Sequence, residues 1–503
     1  MDATVHCADL VSARLKSKVL VVTRYAVTAW LGLFWPALVS AQTSSAAREM
    51  PARPAYQDLR FDEDWSKLKK VDLSGPGHVW DRLKFIPLNG SENIWLTFAG
   101  QVRGRTEYYN QFQFGDSKPE HSAGYSLSRV RFSADLHATK YVRVFAEGKS
   151  SRSTGRDLTG GKVANVDRLD IQNFFADVVV PLGGSATVAV RGGRQELLFG
   201  AQRLVGPSDW TNVRRTFQAG SAVIHAAGWS VTPMWAELVM FKPHGIGEAS
   251  SEHKLYGAYA SGKAKGTVKA DLYWLGADNA SARFNQTSGH EKRQTIGGRL
   301  WRRAPSGHGA STHERLPGLD FDLEGAGQFG TLGGEDIRAW MISANGGYTF
   351  ETRLSPRPFV TFDYASGDDT PGGRVGTFNQ LYPTNHTYLG AMDYVGRQNI
   401  LSPSGGMSVR PIQRLSVLFT QFLFWRANDH DALYGNSGGV FRAGTGTTAR
   451  YVGTESDLIA TYQFHPQVSG YASYNHFFSG DFIKQTGPSR GSDYVYGALQ
   501  FTF

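Results

Sequence analysis

The sequence predicts an all-β fold, a transmembrane antiparallel β-barrel of about 18 strands, and three features of the chain predict it. Glycine is abundant at 58 residues and aromatic residues make up 13% of the chain. Polar and apolar residues alternate with a period of two in segment after segment, and the last such segment ends in Phe503. A closed sheet of this kind gives every backbone polar group in lipid a hydrogen-bonding partner.

The alternation is clear along several predicted strands. In residues 129–137 the odd positions are polar and the even positions are apolar, and in residues 94–112 one polar face carries Arg103 and Arg105. A soluble sandwich would show the same pattern with its apolar face in the core, so the period does not separate the two folds. The N-terminal leader, the strand count and the aromatic C-terminus favour the membrane barrel.

Eighteen segments are predicted strands. Their spans are 94–112, 125–138, 141–151, 168–180, 186–199, 212–227, 229–242, 252–261, 267–277, 291–302, 318–328, 337–350, 356–367, 389–411, 414–427, 455–464, 468–478 and 491–503. Short connections alternate with long polar stretches, which include residues 200–211 and 368–388. This pattern is typical of short periplasmic turns and long extracellular loops, with both chain ends in the periplasm. The connection 303–317 is an exception, because it is long where a short turn is expected.

The first 41 residues are predicted to be a cleaved signal peptide. A basic region ending at Arg24 precedes the apolar residues 25–38, and small residues up to Ala41 offer a cleavage site. A transmembrane anchor is the alternative, but the apolar run is short for a span and Pro36 interrupts it. We therefore expect a signal peptide (1–41), a periplasmic lead-in (42–93) that enters or covers the barrel mouth, and an outer-membrane barrel (94–503).

Charge and cysteine usage exclude several classes of protein. The single cysteine, Cys7, lies in the leader, so the mature chain would contain no disulfide and no thiolate metal site. The leader carries four Lys/Arg and two Asp, so its removal lowers the formal charge from +9 to +7. A positive excess suits anionic partners. Nucleic acid is not expected as a partner, because the chain shows no compact basic cluster or nucleic-acid-binding motif.

The sequence contains no catalytic or metal-binding signature in its expected context. H-E-x-x-H is absent, and the two G-x-S-x-G matches, at 435–439 and 487–491, fall in or at the end of connections between predicted strands rather than at a strand-to-helix turn. Asp363, Asp368 and Asp369 could bind a divalent cation, but three carboxylates without a ligand-loop pattern are more typical of an ordinary polar loop. We predict no catalytic residue, no metal and no cofactor. A barrel enzyme stays an alternative, because such an enzyme can assemble its site from distant strands.

Five local strings occur in a particular order along the chain. They are FDEDWS at 61–66, GRQEL at 193–197, RLVGPSDW at 203–210 leading to RRTF at 214–217, YASGD at 364–368 and GTFNQLYPTNH at 376–386. In order and spacing they resemble the alginate-export family of outer-membrane proteins over nearly the whole mature chain. The resemblance implies an eighteen-stranded monomeric barrel with an electropositive constriction for a polyuronate.

Strand parity places a set of arginines on faces that would line the lumen. They are Arg103, Arg105, Arg129, Arg131, Arg143 and Arg194. Neighbouring strands about 4.8 Å apart would arrange these guanidinium groups as a ladder. Arginine stays charged and holds a carboxylate through a planar bidentate pair, so such a ladder offers an anionic polymer several weak sites in succession.

The alternative interpretation is that these arginines pair with lumen acids and brace the wall. The candidate acids are Asp135, Glu147, Glu196, Asp320, Asp322 and Glu324. Both interpretations can hold together, because a field across the lumen needs both signs of charge.

The leading functional hypothesis is an outer-membrane channel of a Gram-negative bacterium. It would pass an anionic polysaccharide, an alginate-like polyuronate, or a related small anionic solute. The alternatives are a general anion and oligosaccharide uptake porin, a barrel enzyme, and an adhesin or structural barrel with a plugged lumen. Other expected partners are membrane lipid, lipopolysaccharide, the barrel-assembly machinery and, for an exporter, periplasmic secretion components. The direction of flux is not encoded in a passive pore.

The leader generates a prediction about the mature N-terminus. We expect N-terminal sequencing of the protein purified from outer membranes to begin near Gln42, because small residues precede this position. An intact segment 25–41 in the purified protein would contradict the prediction and favour an anchor.

Overall fold

The computed structural model describes residues 54–71, 73, 79–115, 121–155, 162–285, 287–302, 317–369 and 372–503. Within them, eighteen long strands form one antiparallel sheet. The sheet closes on itself, because the first strand pairs with both the second and the last. The predicted fold class, a closed eighteen-stranded barrel, is confirmed. The predicted signal peptide lies outside the described residues.

The strands are numbered in chain order. They are β1 (Ile94–Asn110), β2 (Ala123–Ala138), β3 (Val142–Gly155), β4 (Asp167–Gly183), β5 (Ala186–Gln195), β6 (Phe217–Ala226), β7 (Trp229–Lys242), β8 (Gly245–Lys265), β9 (Val268–Arg283), β10 (Ser288–Arg302), β11 (Gly318–Leu332), β12 (Glu335–Thr349), β13 (Arg357–Ala365), β14 (Ile400–Ile412), β15 (Leu415–Arg426), β16 (Tyr451–His465), β17 (Val468–Ser479) and β18 (Ser492–Thr502).

Short elements accompany the wall. They are the 3₁₀ turns Arg60–Asp62, Ser66–Lys70, Asp81–Leu83, Phe112–Gly115 and Asn385–Thr387, the helices Lys162–Asn165 and Asp481–Thr486, the strand Ile86–Pro87 on β1, and the paired strands Leu433–Tyr434 and Val440–Arg442. In the part of the chain that the structure describes, no helix has the length and apolar character needed to cross a membrane.

The two faces of the wall have the polarity expected of a barrel in lipid. On β2, the outward side chains of Val130 and Phe132 are 46% and 52% exposed, while the inward Arg129 and Arg131 are 1% and 4% exposed. This is the reverse of a soluble sandwich, in which the apolar face would be buried. The alternation read from the sequence is therefore correct in both period and direction.

The two ends of the barrel differ in how they connect the strands. At one end, here named the turn end, residues 184–185 and 466–467 form tight turns. At the opposite loop end, the connections 196–216 and 366–399 are long. The exceptional connection at 303–317 falls almost entirely outside the described residues.

The two largest errors in the predicted strand boundaries each have a local reason. β8 begins at Gly245 rather than at 252, because only two residues join it to β7. β14 begins at Ile400 rather than at 389, because the preceding backbone binds side chains inside the barrel. The amide of Ala391 donates to Asp457 at 3.0 Å, and that of Met392 donates to Glu455 at 2.8 Å.

The C-terminal residue completes the seam between β1 and β18. The backbones of Gly100 and Phe503 exchange two hydrogen bonds of 2.9 and 3.0 Å. The Phe503 ring covers Gly100 so closely that a Cβ atom there would lie 2.4 Å from the ring. Trp80 packs on the same ring at a centroid distance of 4.6 Å. Glycine at position 100 is therefore needed for the last side chain to pack at the seam.

This seam generates a prediction about assembly. Replacing Gly100 by Val should displace the Phe503 ring, lower the yield of folded barrel and cost up to about 2 kcal/mol, since burying a Phe side chain contributes roughly that much. The measurement is the heat-modifiable band on a gel and its thermal midpoint. Gly327→Val is the matched control, because nothing lies within 4 Å of a Cβ at that strand position. Equal behaviour of the two variants would show that the ring contact does not stabilise the seam.

Candidate functional site

Two long connections from the loop end fold into the barrel and pair with each other. They are named the first inward loop (196–216) and the second inward loop (366–399). Gly206 donates its amide to the Tyr382 carbonyl at 2.9 Å, and Tyr382 donates to the Leu204 carbonyl at 2.8 Å. Leu204 and Val205 are 4% and 1% exposed, within a cluster that joins them to inward wall residues. The lumen therefore contains a packed core of its own.

Trp210 lies at the centre of this packing. Its ring stacks on His386 of the second inward loop with a centroid distance of 3.6 Å and an interplanar angle of 7°. The Arg105 guanidinium lies 3.8 Å from the centre of the same indole ring. Burial, with Arg105 close by, holds the pKa of His386 well below its usual value. The tip of the first inward loop is thus fixed between the wall and the second loop.

Three predicted lumen arginines bind the backbone of this tip. Arg103 donates to the Asp209 carbonyl at 2.9 Å, and Arg105 donates to the Trp210 carbonyl at 2.6 Å. Arg129 donates to the carbonyls of Asp209 and Thr211 at 3.0 and 3.2 Å. All three arginines are at most 2% exposed. They come from the adjacent strands β1 and β2, as strand parity predicts, and they converge on one turn of backbone.

The carboxylate of Asp209 lies among the same cations. Its oxygens are 2.7 Å from Arg129 and 3.7 Å from Arg103, and Arg214 forms a further ion pair with it. Desolvation by the surrounding protein would raise the pKa of this carboxyl, but Arg129, Arg214 and Arg103 together hold it well below its usual value. The side chain is 46% exposed, whereas the three arginines are 1–3% exposed. Asp209 is therefore an ionised, water-accessible group set in a nest of buried cations.

A chain of alternating charges continues from this nest along the wall. Arg214 also donates to Glu196 at 2.5 Å, and Glu196 lies 3.4 Å from Arg131. Arg131 in turn pairs with Glu147 on β3. Nearer the turn end, Arg143 forms a bidentate pair with Asp135, with both distances 2.7 Å. Predicted cations and predicted acids thus alternate from the centre of the lumen toward the turn end.

Part of the lead-in lies against the inner wall at this end. The Phe61 ring packs between Phe145 and Phe175 at centroid distances of 5.6 and 5.0 Å. Arg143 donates to the Phe61 carbonyl at 2.7 Å, and Arg214 donates to the Asp58 carbonyl at 3.1 Å. Arg143 therefore ties the lead-in to the wall, and Arg214 ties it to the first inward loop.

The opposite wall holds the first inward loop through Arg203. This arginine is 2% exposed and lies 3.1 Å from Asp322 and 2.7 Å from Glu324. Arg299 makes a second pair with Asp322 at 2.6 Å. Asp322 and Glu324, two of the three predicted acids on β11, are therefore each paired with a cation. The remaining predicted acid of this face, Asp320, pairs with Arg357.

Arg194 does not join the other predicted arginines. It lies opposite Phe174, whose side chain is 57% exposed on the outer face. Its guanidinium donates to the Gly247 carbonyl at 2.6 Å and pairs with Asp170 at 3.2 Å. Arg194 thus bridges β4, β5 and β8 within the wall.

Five lumen residues were not predicted from the sequence, namely Arg203, Asp209, Trp210, Arg214 and His386. Residues 200–211 and 368–388 were predicted to be long extracellular loops, whereas the structure folds both stretches inward. A usable signal was present, because aromatic and aliphatic residues within a long loop need a core to pack in. Asp363, considered as a cation ligand, instead pairs with Arg397 at 3.1 Å. Among the described residues, no group of His, Cys, Asp and Glu has the geometry to hold a metal ion.

Comparison with known proteins agrees with this architecture. The chain is similar to Pseudomonas aeruginosa OpdO (TM-score 0.52, 11% identity, covering 81% of this chain and 97% of that chain). It is also similar to Acinetobacter baumannii OccAB1 (TM-score 0.52, 12% identity, 81% and 97%) and to the outer membrane protein opdK of P. aeruginosa (TM-score 0.50, 9% identity, 81% and 99%). At these identities the likeness shows the fold. No curated protein sequence matches the chain.

A closed eighteen-stranded wall with a charged, loop-filled lumen defines an outer-membrane transport barrel. Residues 94–497 match the family described as "Alginate export". This match covers most of the chain, so the protein belongs to the alginate-export family. The resemblance to this family is confirmed over the matched residues, which contain four of the five sequence strings.

The Arg203 contact generates a prediction about the first inward loop. Replacing Arg203 by Gln leaves Glu324 without its cation, and removing one partner of a buried pair costs roughly 3 kcal/mol. We expect the loop to loosen and the single-channel conductance to rise and fluctuate. Lys242→Gln is the control, since Lys242 and Glu248 form an ion pair at the surface, with side chains 49% and 74% exposed. Identical conductance of both variants and the wild type would contradict the bracing role of Arg203.

Proposed function

We propose that this barrel passes an anionic polysaccharide, an alginate-like polyuronate, or related anionic solutes across the outer membrane. The observation that carries the proposal is the convergence of Arg103, Arg105, Arg129 and Arg214 on residues 209–211, where one carboxylate already lies. Arginine binds carboxylates through short, charge-assisted hydrogen bonds. A uronate unit presents the same chemical group as Asp209.

The spacing of charges along the lumen supports passage rather than tight capture. The nest around Asp209 is followed by the Arg131 pairs and then by the Arg143 pair. A polymer with a carboxylate on each sugar can exchange contacts with successive cations. Each of these cations already has an acidic partner, Asp209 of the first inward loop in the nest and an acid of the wall for Arg131 and Arg143, so no single site binds too strongly for release.

A cavity near the loop end supports a saccharide rather than a simple ion. It has a volume of about 350 Å³ and lies between the inward loops and β9. It is lined by the amide side chains of Asn279, Asn379 and Gln398, together with the guanidinium group of Arg283 and the aromatic ring of Tyr382. Amides and aromatic rings suit hydroxyl groups and sugar faces, respectively. An uptake porin for anionic oligosaccharides would use the same features, because a passive channel sets no direction.

The proposal generates a prediction on selectivity. Replacing Arg129 by Gln removes a fully buried cation from the nest while keeping a polar side chain. We expect block of the channel by oligouronates to need roughly tenfold more ligand, since one hydrogen bond to a charged group contributes about 1.5–3 kcal/mol. The reversal potential in a salt gradient should shift toward cation preference. The control is Lys484→Gln, which removes an exposed cation from the loop end.

If Arg129→Gln folds normally and leaves both the reversal potential and the uronate block unchanged, the arginines only brace the inward loops.

A further inference from the structure

We infer that the Asp209 side chain competes with the channel's ligand for the arginine nest. The Asp209 carboxylate occupies the nest until a carboxylate of the ligand displaces it. The inference rests on the proposed function and adds to it a reason why binding in the lumen is reversible. It assigns to Asp209 a specificity-determining role for carboxylate-bearing solutes.

The geometry of the nest matches a carboxylate-binding site that is already filled. Oδ1 of Asp209 accepts a hydrogen bond of 2.7 Å from Arg129 and another from Arg214, while Oδ2 lies 3.7 Å from Arg103. The three guanidinium groups come from three different segments, namely β1, β2 and the first inward loop. Cations gathered from separate segments around one anion form a built site, because no single turn or strand places them there.

The backbone around Asp209 is held by hydrogen bonds of its own, which do not involve the Asp209 carboxylate. The backbone carbonyls of residues 209–211 are held by Arg103, Arg105 and Arg129. The amide of the adjacent Ser208 donates to Thr384 at 3.2 Å, which ties the turn to the second inward loop. The carboxylate can therefore rotate out of the nest while the turn keeps its position.

Exposure shows which partner of the site can leave. The Asp209 side chain is 46% exposed, but Arg129, Arg103 and Arg214 are 1%, 2% and 3% exposed. A solute reaching the nest meets the carboxylate first and can reach the cations only by replacing it. An acid that served only to neutralise the arginines would be better buried, as Glu196 is with no exposed side-chain surface.

Exchange of one carboxylate for another keeps one negative charge bound in the arginine nest, while the displaced Asp209 carboxylate turns toward the accessible space. Each arriving uronate carboxylate takes the hydrogen bonds that Asp209 releases, and the reverse exchange frees the solute. The buried cations are never left bare, so neither step carries the full penalty of an unpaired buried charge. Neutral sugars offer no group that can replace the carboxylate, so they gain nothing from its displacement.

The test is block of single-channel current by oligogalacturonate in wild type, Asp209→Asn and Asp209→Glu. Asparagine keeps the size and one hydrogen-bond acceptor but removes the competing charge, so half-block should need about tenfold less oligogalacturonate. Glutamate restores the charge and should return half-block toward the wild-type concentration. Asp481→Asn is the control, because it removes a 67% exposed acid at the loop end. Block by a neutral maltooligosaccharide should be the same in all four proteins.

The outcomes separate the two proposals. If oligogalacturonate blocks the wild type but Asp209→Asn needs as much or more of it, with normal heat-modifiable folding, Asp209 braces the nest and the inference is overturned. The inference also fails if Asp209→Asn increases block by the neutral sugar equally, since a changed pore width would then explain the result. If oligogalacturonate blocks none of the four folded proteins, the proposed function itself fails.

Discussion

The contact between wall arginines and the carbonyls of residues 209–211 organises the whole lumen. A closed sheet points every second side chain inward, and here many of those side chains are charged. Left facing each other, Arg103, Arg105 and Arg129 would repel. The tip of the first inward loop supplies carbonyl oxygens and one carboxylate in their midst. The fold of the wall and that of the loop are therefore mutually dependent.

The same contact determines how the other inner segments pack. With the tip fixed, Trp210 offers a flat face for His386, which aligns the second inward loop beside the first. Arg214 then extends from the nest to Glu196 and to the backbone of the lead-in. Buried ion pairs are weak contributors to net stability, because desolvation offsets most of their attraction. What they provide here is a defined position for each segment inside a wide barrel.

A transport barrel needs a lumen that is ordered yet yields to a solute. In this protein, different atoms of Asp209 meet the need for order and the need to give way to a solute. The Asp209 carbonyl takes part in holding the loop, whereas its carboxylate faces the accessible space. An eighteen-stranded wall alone would leave a wide aqueous channel. The inward loops narrow that space, so that buried charges act at short range, where salt screens them little.

The sequence by itself determined the wall. Period-two alternation, turn spacing and the terminal Phe503 are local properties, and from them follow eighteen strands, their faces and the inward direction of Arg103, Arg105, Arg129 and Arg131. It also supplied both candidate functions for these arginines, ligand binding and bracing. The inward folding of 196–216 and 366–399 was decided only by tertiary structure. Asp209 lies far from Arg129 along the chain, and His386 lies far from Trp210. The contacts within these two pairs exist only once the closed sheet surrounds the loops. Strand parity carries no information about where a loop goes, because a loop's path depends on the cations and apolar surfaces that the finished barrel presents to it.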